Sequence, residues 1–154
     1  MKRQRFCSLL IVMILLSGLV LAGCGSGKTE VAHQYHMAPL KDMPQDVQSA
    51  PVRTQEAYQF AVANPETADA IPCYCGCGGM GHTSSYDCYV AGVDEMGVMQ
   101  FDNHAQYCSI CIDITHDTMR MMDEGRSTAE IFAQIELDYS RFAPPTVKPE
   151  TSES

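Results

Sequence analysis

A mainly α fold is predicted: one small single helical domain carrying a cysteine-rich loop, with room for one short hairpin. Three observations predict it. Two stretches, "FDNHAQYCSICIDITHDTMRMMDEG" and "STAEIFAQIELDYSRF", place apolar residues at helical spacing between good capping residues. Alternating strand patterns are short and few. The patterned part spans about 90 residues, enough for one modest core of the kind that often needs a metal or disulfides to stay folded.

The elements follow in order. Residues 1–23 read as a lipoprotein signal peptide: Lys2, Arg3 and Arg5 precede an apolar run from Phe6 to Leu21. Leu21-Ala22-Gly23-Cys24 resembles a bacterial lipobox, which implies that Cys24 is lipidated through its sulfur and becomes the first residue. A lipid anchor holds a domain at the membrane without spanning it, so the expected location is the outer face of the cell membrane. Residues 24–52 mix Gly, Ser, Pro and isolated charges without sustained periodicity and predict a flexible tether. His33, His36 and Met37 lie within it.

The cysteine-rich domain is expected over residues 53–143. "TQEAYQFAVANPE" predicts a first helix through Ala57, Tyr58, Ala61 and Val62, ended by Pro65. Alternation at Tyr86, Cys88 and Val90 allows a short strand, and "VMQF" can pair back on it across the turn bracketed by Gly92 and Gly97. A helix over 103–124 follows, capped by Asp102 or Asn103 and ended by Gly125. The last helix opens with a capping box, Ser127 and Glu130, and presents Ile131, Phe132 and Ile135 on one face. The tail that begins with "APP", residues 144–154 in particular, is proline-rich and polar and predicts disorder.

Charge excludes one class of partner. Without the signal, Lys and Arg fall from 10 to 7 while all 19 acidic residues stay, a net of −12. Nucleic-acid binding needs cationic contacts to phosphates and is not expected. No nucleophile elbow, P-loop or zinc-protease motif is present, so a binding protein is expected rather than an enzyme.

Six cysteines remain once Cys7 and Cys24 are set aside: Cys73, Cys75, Cys77, Cys88, Cys108 and Cys111. In an extended segment the three thiols of "PCYCGCGG" would share one face, but stand roughly 6–7 Å apart by strand rise. Thiolates on one ion lie about 3.7 Å apart, given bonds of about 2.3 Å. Gly76, Gly78 and Gly79 let the loop curl to close that gap. On a helix over 103–124, His104, Cys108 and Cys111 fall at i, i+4 and i+7, a single face.

Neighbouring cysteines of the loop cannot bridge each other without strain, so each bridge would need a partner among Cys88, Cys108 and Cys111. Soft-metal ligation accommodates the set more readily, and six thiolates exceed what one tetrahedral zinc needs. The metal set is therefore Cys73, Cys75, Cys77, Cys88, Cys108, Cys111 and His104, with His82 as a further ligand. Ten methionines tilt the choice toward copper ahead of zinc, although methionine is also ordinary core filler.

"PCYCGCGGMGHTSSYDCYV" followed by "FDNHAQYCSICIDI" resembles the PCYCGC-motif lipoprotein family of bacterial envelopes, over roughly residues 55–143 together with the lipobox. That resemblance implies a surface lipoprotein and leaves the chemistry open. The functional expectation is a membrane-tethered thiolate protein that buffers, stores or delivers a soft metal, passing it to a metal-transfer protein partner. Two alternatives stand beside it: an envelope thiol oxidoreductase using Cys108 and Cys111, and an interaction module stapled by disulfides or zinc. Cys108, placed about one turn inside its helix, suits the redox alternative poorly.

Overall fold

The computed structural model describes residues 33–146, which belong to one compact unit beginning at His33. The expected signal peptide, the lipidation site Cys24, the start of the tether and the end of the tail lie outside the described residues. Five α-helices and a two-stranded hairpin make up the described fold, so the mainly α expectation holds.

The stretch expected to be tether is structured well before residue 52. A 3-10 turn at Leu40–Asp42 leads to a short helix α1, Gln45–Gln48, and Met43 and Val47 sit in the core at 4% and 1% exposure. Few apolar residues are needed, because glutamine amides hold this chain through its backbone. Gln59 Nε2 donates to the Ala38 carbonyl at 2.6 Å, and Gln55 Nε2 donates to Gln48 and Ala50 at 2.9 and 2.8 Å. Each bond satisfies a carbonyl that would otherwise need water, which hydropathy patterns do not register.

Helix α2, Val52–Ala63, is the predicted first helix, opening after Pro51 and buried through Ala57, Tyr58, Phe60 and Ala61. It ends at Asn64, and Pro65 starts a new helix α3, Pro65–Ala70. Pro is tolerated there because the first helical amide has no intrahelical partner. Ile71 is extended ahead of Pro72 and delivers the chain into the cysteine loop.

The strand expected to start at Tyr86 does not. Residues Tyr86–Cys88 form a 3-10 turn, and the Asp87 carboxylate accepts from the Thr83 and Ser84 amides at 2.6 and 3.2 Å. These local bonds outcompete a ladder. Strand β1, Val90–Val93, follows and pairs antiparallel with β2, Met99–Phe101, so the expected return of "VMQF" is found. The register shifts between Val90 and Gly92, which has φ 139°.

The helix expected over 103–124 begins six residues later than expected. His104–Tyr107 is a 3-10 turn, Cys108 is extended (φ −126°, ψ 102°), and helix α4 runs Ser109–Asp123. Asp102 Oδ1 accepts from the His104 amide at 2.7 Å, so the acidic cap forms on the 3-10 turn. Gly125, at φ 78°, ends α4, with its amide on the Met122 carbonyl and that of Arg126 on Met121. Helix α5, Thr128–Tyr139, has the predicted capping box and buries Ile131 and Ile135. Phe132 does not share that face; it is 40% exposed.

Helix α4 packs between α2 and α5, burying Ile114, Thr118 and Met121. Tyr58 and Tyr89 meet edge to face at 5.0 Å beneath the hairpin. The tail does not start at residue 144 in structural terms. Thr146 is 5% exposed, and its amide donates to the Cys73 carbonyl at 2.8 Å.

Candidate metal centre

Every cysteine of the domain is unbridged. Cys73, Cys77, Cys88 and Cys111 are buried, while Cys75 and Cys108 are half-buried. Their sulfurs converge. Cys73 Sγ lies 3.3 Å from Cys75 Sγ, and Cys111 Sγ lies 3.5 Å from both. Cys77 and Cys88 are 3.6 Å apart, and Cys75 Sγ is 3.3 Å from His104 Nε2. These separations approach the edge of about 3.7 Å that thiolates adopt around one ion.

The convergence has local causes. Gly76 at φ 87° and Gly81 at φ 95° bracket the 3-10 turn Cys77–Met80, turning Cys77 back toward Cys73 and Cys75. Such φ values are open to glycine at little cost. The Cys73 amide donates to Thr146 Oγ1 at 2.8 Å, completing a two-point clamp on that residue. From the other side, Tyr89 Oη donates to the Cys111 carbonyl at 2.9 Å and pairs with Thr115 Oγ1 at 2.6 Å, fixing the first turn of α4.

His104, Cys108 and Cys111 do not share one helical face, since only Cys111 is helical. They meet nonetheless, because the 3-10 turn and the extended residue at 108 fold His104 back over the start of α4. The donors form two groups, each with all ligand atoms within 4.8 Å: Cys73, Cys75, Cys77 and Cys88; and Cys75, His104, Cys108 and Cys111. Cys75 belongs to both.

His82 belongs to neither group. It is 8% exposed beside the first, with Nδ1 at 3.6 Å from Cys88 Sγ and Nε2 at 3.5 Å from Asp102 Oδ2. That arrangement is a carboxylate–imidazole–thiol chain of the kind that orients metal ligands from outside the coordination sphere. His33, from the expected tether, instead pairs with Asp123 at 2.6 Å. Thr146, Tyr89 and Asp102 support the site without having been read as part of it. Only Asp102, as a capping residue beside His104, left a trace in the sequence.

The thiols are not equivalent. Those of Cys111 and Cys73 donate to Cys75 and hold it far below the usual thiol range. Cys73 is pushed up by its bonds to Cys111 and Cys75, and Cys77 by those to Cys73 and Cys75. Thiolate is the form that binds metal.

Fold and site define a small helical protein organised around a reduced cysteine cluster compatible with a metal ion. The chain belongs to the family described as proteins of unknown function with a PCYCGC motif, whose model matches residues 12–151. No curated protein and no solved structure matches it.

Proposed function

We propose that this is a lipid-anchored envelope protein that holds a soft metal ion on cysteine thiolates and buffers, stores or delivers it at the outer face of the membrane. One observation carries the reading: Cys73, Cys75, Cys77, Cys88, Cys111 and His104, drawn from segments up to 38 residues apart, lie within 3.3–3.6 Å of neighbouring donors, and Cys108, also unbridged, joins Cys75, His104 and Cys111 in a group whose ligand atoms lie within 4.8 Å of one another. Thiol sets of this density select Cu(I) or Zn(II). The methionine content that favours Cu(I) carries less weight once the chain is folded, because Met43 and Met121 fill the core and Met96 is 84% exposed. Four-donor groups, one with an imidazole, add support for Zn(II). Anchorage rests on the lipobox-like run at Cys24. Among the described residues, no helix is long and apolar enough to cross a membrane.

The test is metal content of anaerobically purified protein, with free-thiol titration and competition against a Cu(I) chelator. Bound ion with protected thiols supports the reading. A reduced protein that takes up neither ion contradicts it.

A second reading draws on Cys108 standing as the N-cap of α4, with Cys111 in its first turn. This places a Cys-x-x-Cys pair at a helix N-terminus, an arrangement that suits an envelope thiol oxidoreductase better than the sequence suggests. A reversible Cys108–Cys111 couple in the thiol-exchange range, in protein that binds no metal, would favour it.

A further inference from the structure

We propose that Cys75 is a bridging thiolate between two four-coordinate divalent ions, one held with Cys73, Cys77 and Cys88, the other with His104, Cys108 and Cys111. This rests on the metal-binding reading above and gives it a stoichiometry. The donor count carries the argument. Two tetrahedra that share one vertex need seven donors, and the two groups comprise seven: six cysteines and His104. None is left over and none is missing. Only Cys75 is common to both groups.

Position agrees with that role. Cys75 Sγ lies 3.3 Å from Cys73 Sγ of one group, and 3.3 Å from His104 Nε2 and 3.5 Å from Cys111 Sγ of the other. A sulfur bridging two ions must sit at such a junction, within one coordination edge of ligands from each site. For two ions, charge favours the divalent class. Two divalent ions against six thiolates leave about −2, whereas two monovalent ions leave about −4, at a cluster whose sulfurs are largely buried. The imidazole counts too: a cluster of monovalent ions bridged by sulfur alone would leave His104 unused.

Co(II) serves as the spectroscopic stand-in for Zn(II). The full chain, reduced and stripped of metal in detergent, is titrated with Co(II) and followed by thiolate-to-cobalt charge-transfer absorption and electron paramagnetic resonance. The bridge predicts saturation at two equivalents, with the resonance of the fully loaded protein suppressed because spins couple through the shared sulfur. Cys75→Ser is expected to abolish the coupling, whereas Cys108→Ser is expected to leave one ion with an unsuppressed signal. Saturation at one equivalent overturns the proposal, and so do two ions with undiminished resonance. Uptake of Cu(I) alone, at about four per chain and unaffected by His104→Ala, overturns the bridge while leaving soft-metal binding intact. Failure to bind Co(II), Zn(II) or Cu(I) overturns both. If Cys75→Ser does not fold, the wild-type titration alone decides.

Discussion

The sulfur of Cys75 stands 3.3 Å from Nε2 of His104, although 29 residues separate them in the chain. Neither residue lies in an α-helix or a strand. Cys75 is set by the loop segment just ahead of Gly76, and His104 by a 3-10 turn capped by Asp102. The contact links the "PCYCGC" loop to the start of α4, so an ion held there would tie together two segments that otherwise meet mainly through the core.

His104→Ala is expected to remove the ion held with Cys108 and Cys111 and to spare the one held with Cys73, Cys77 and Cys88, since His104 belongs only to the second group. Metal-to-protein ratio before and after chelator challenge checks this. Equal loss from both sites would show that the groups do not act separately.

His82→Ala acts differently. Its ring spans from Asp102 to Cys88, at 3.5 and 3.6 Å, without joining either donor group. Removing an outer-sphere partner typically weakens metal affinity by about 10–100-fold without changing stoichiometry. Competition with a chromophoric chelator reads the affinity, and mass spectrometry reads the stoichiometry. A lost ion would make His82 a ligand.

Metal removal is expected to lower the melting temperature. Ligand that binds only the folded state contributes about 2.7 kcal/mol at a hundredfold excess over Kd. Thermal melts with and without chelator, under reducing conditions, measure the shift; identical curves would mean that the ion does not bind the native fold.

Alkaline pH is expected to destabilise the fold through tyrosines raised by burial, Tyr58 and Tyr139 among them. Burial, then the neighbouring Asp102, raises Tyr58, whose hydroxyl donates to the Asp102 carbonyl at 2.7 Å. Burial, then its hydrogen bond to Asp117, raises Tyr139. A group raised in the folded state holds its proton after the unfolded chain has lost it. Its contribution is therefore complete below the ordinary phenol value of about 10 and is lost as pH rises beyond it. The double variant Tyr58→Phe, Tyr139→Phe should show a shallower fall in denaturation midpoint above that pH.

Met43→Ala tests whether the segment ahead of α2 belongs to the domain. Truncating a buried methionine typically costs about 2–5 kcal/mol, whereas the same change in a tether costs nothing measurable. Met43 is 4% exposed, so a clear drop in urea midpoint is expected.

Helical periodicity and end signals made α2, α4 and α5 legible, and Ser127 with Glu130 forms the capping box that their spacing suggests. What escaped is held by bonds that carry no pattern. Gln55 and Gln59 fasten residues 38–50 through backbone carbonyls, and Thr146 clamps Cys73 from a proline-rich tail. The break at Cys108 was also invisible, because nothing in "HAQYCSIC" forbids continuous helix. The grouping of His104, Cys108 and Cys111 survived that error: a fold that brings the three together can satisfy their spacing by more than one backbone path. The sharing of Cys75 between two donor groups depends on three-dimensional closure and had no counterpart in spacing alone.

Native mass spectrometry of the anaerobically purified protein, paired with alkylation of its denatured form, tests the central claim most directly. The account predicts a native mass raised by bound metal and, after denaturation and metal release, alkylation of Cys73, Cys75, Cys77, Cys88, Cys108 and Cys111. A metal-free native mass whose cysteines resist alkylation until a disulfide reductant is added would contradict it.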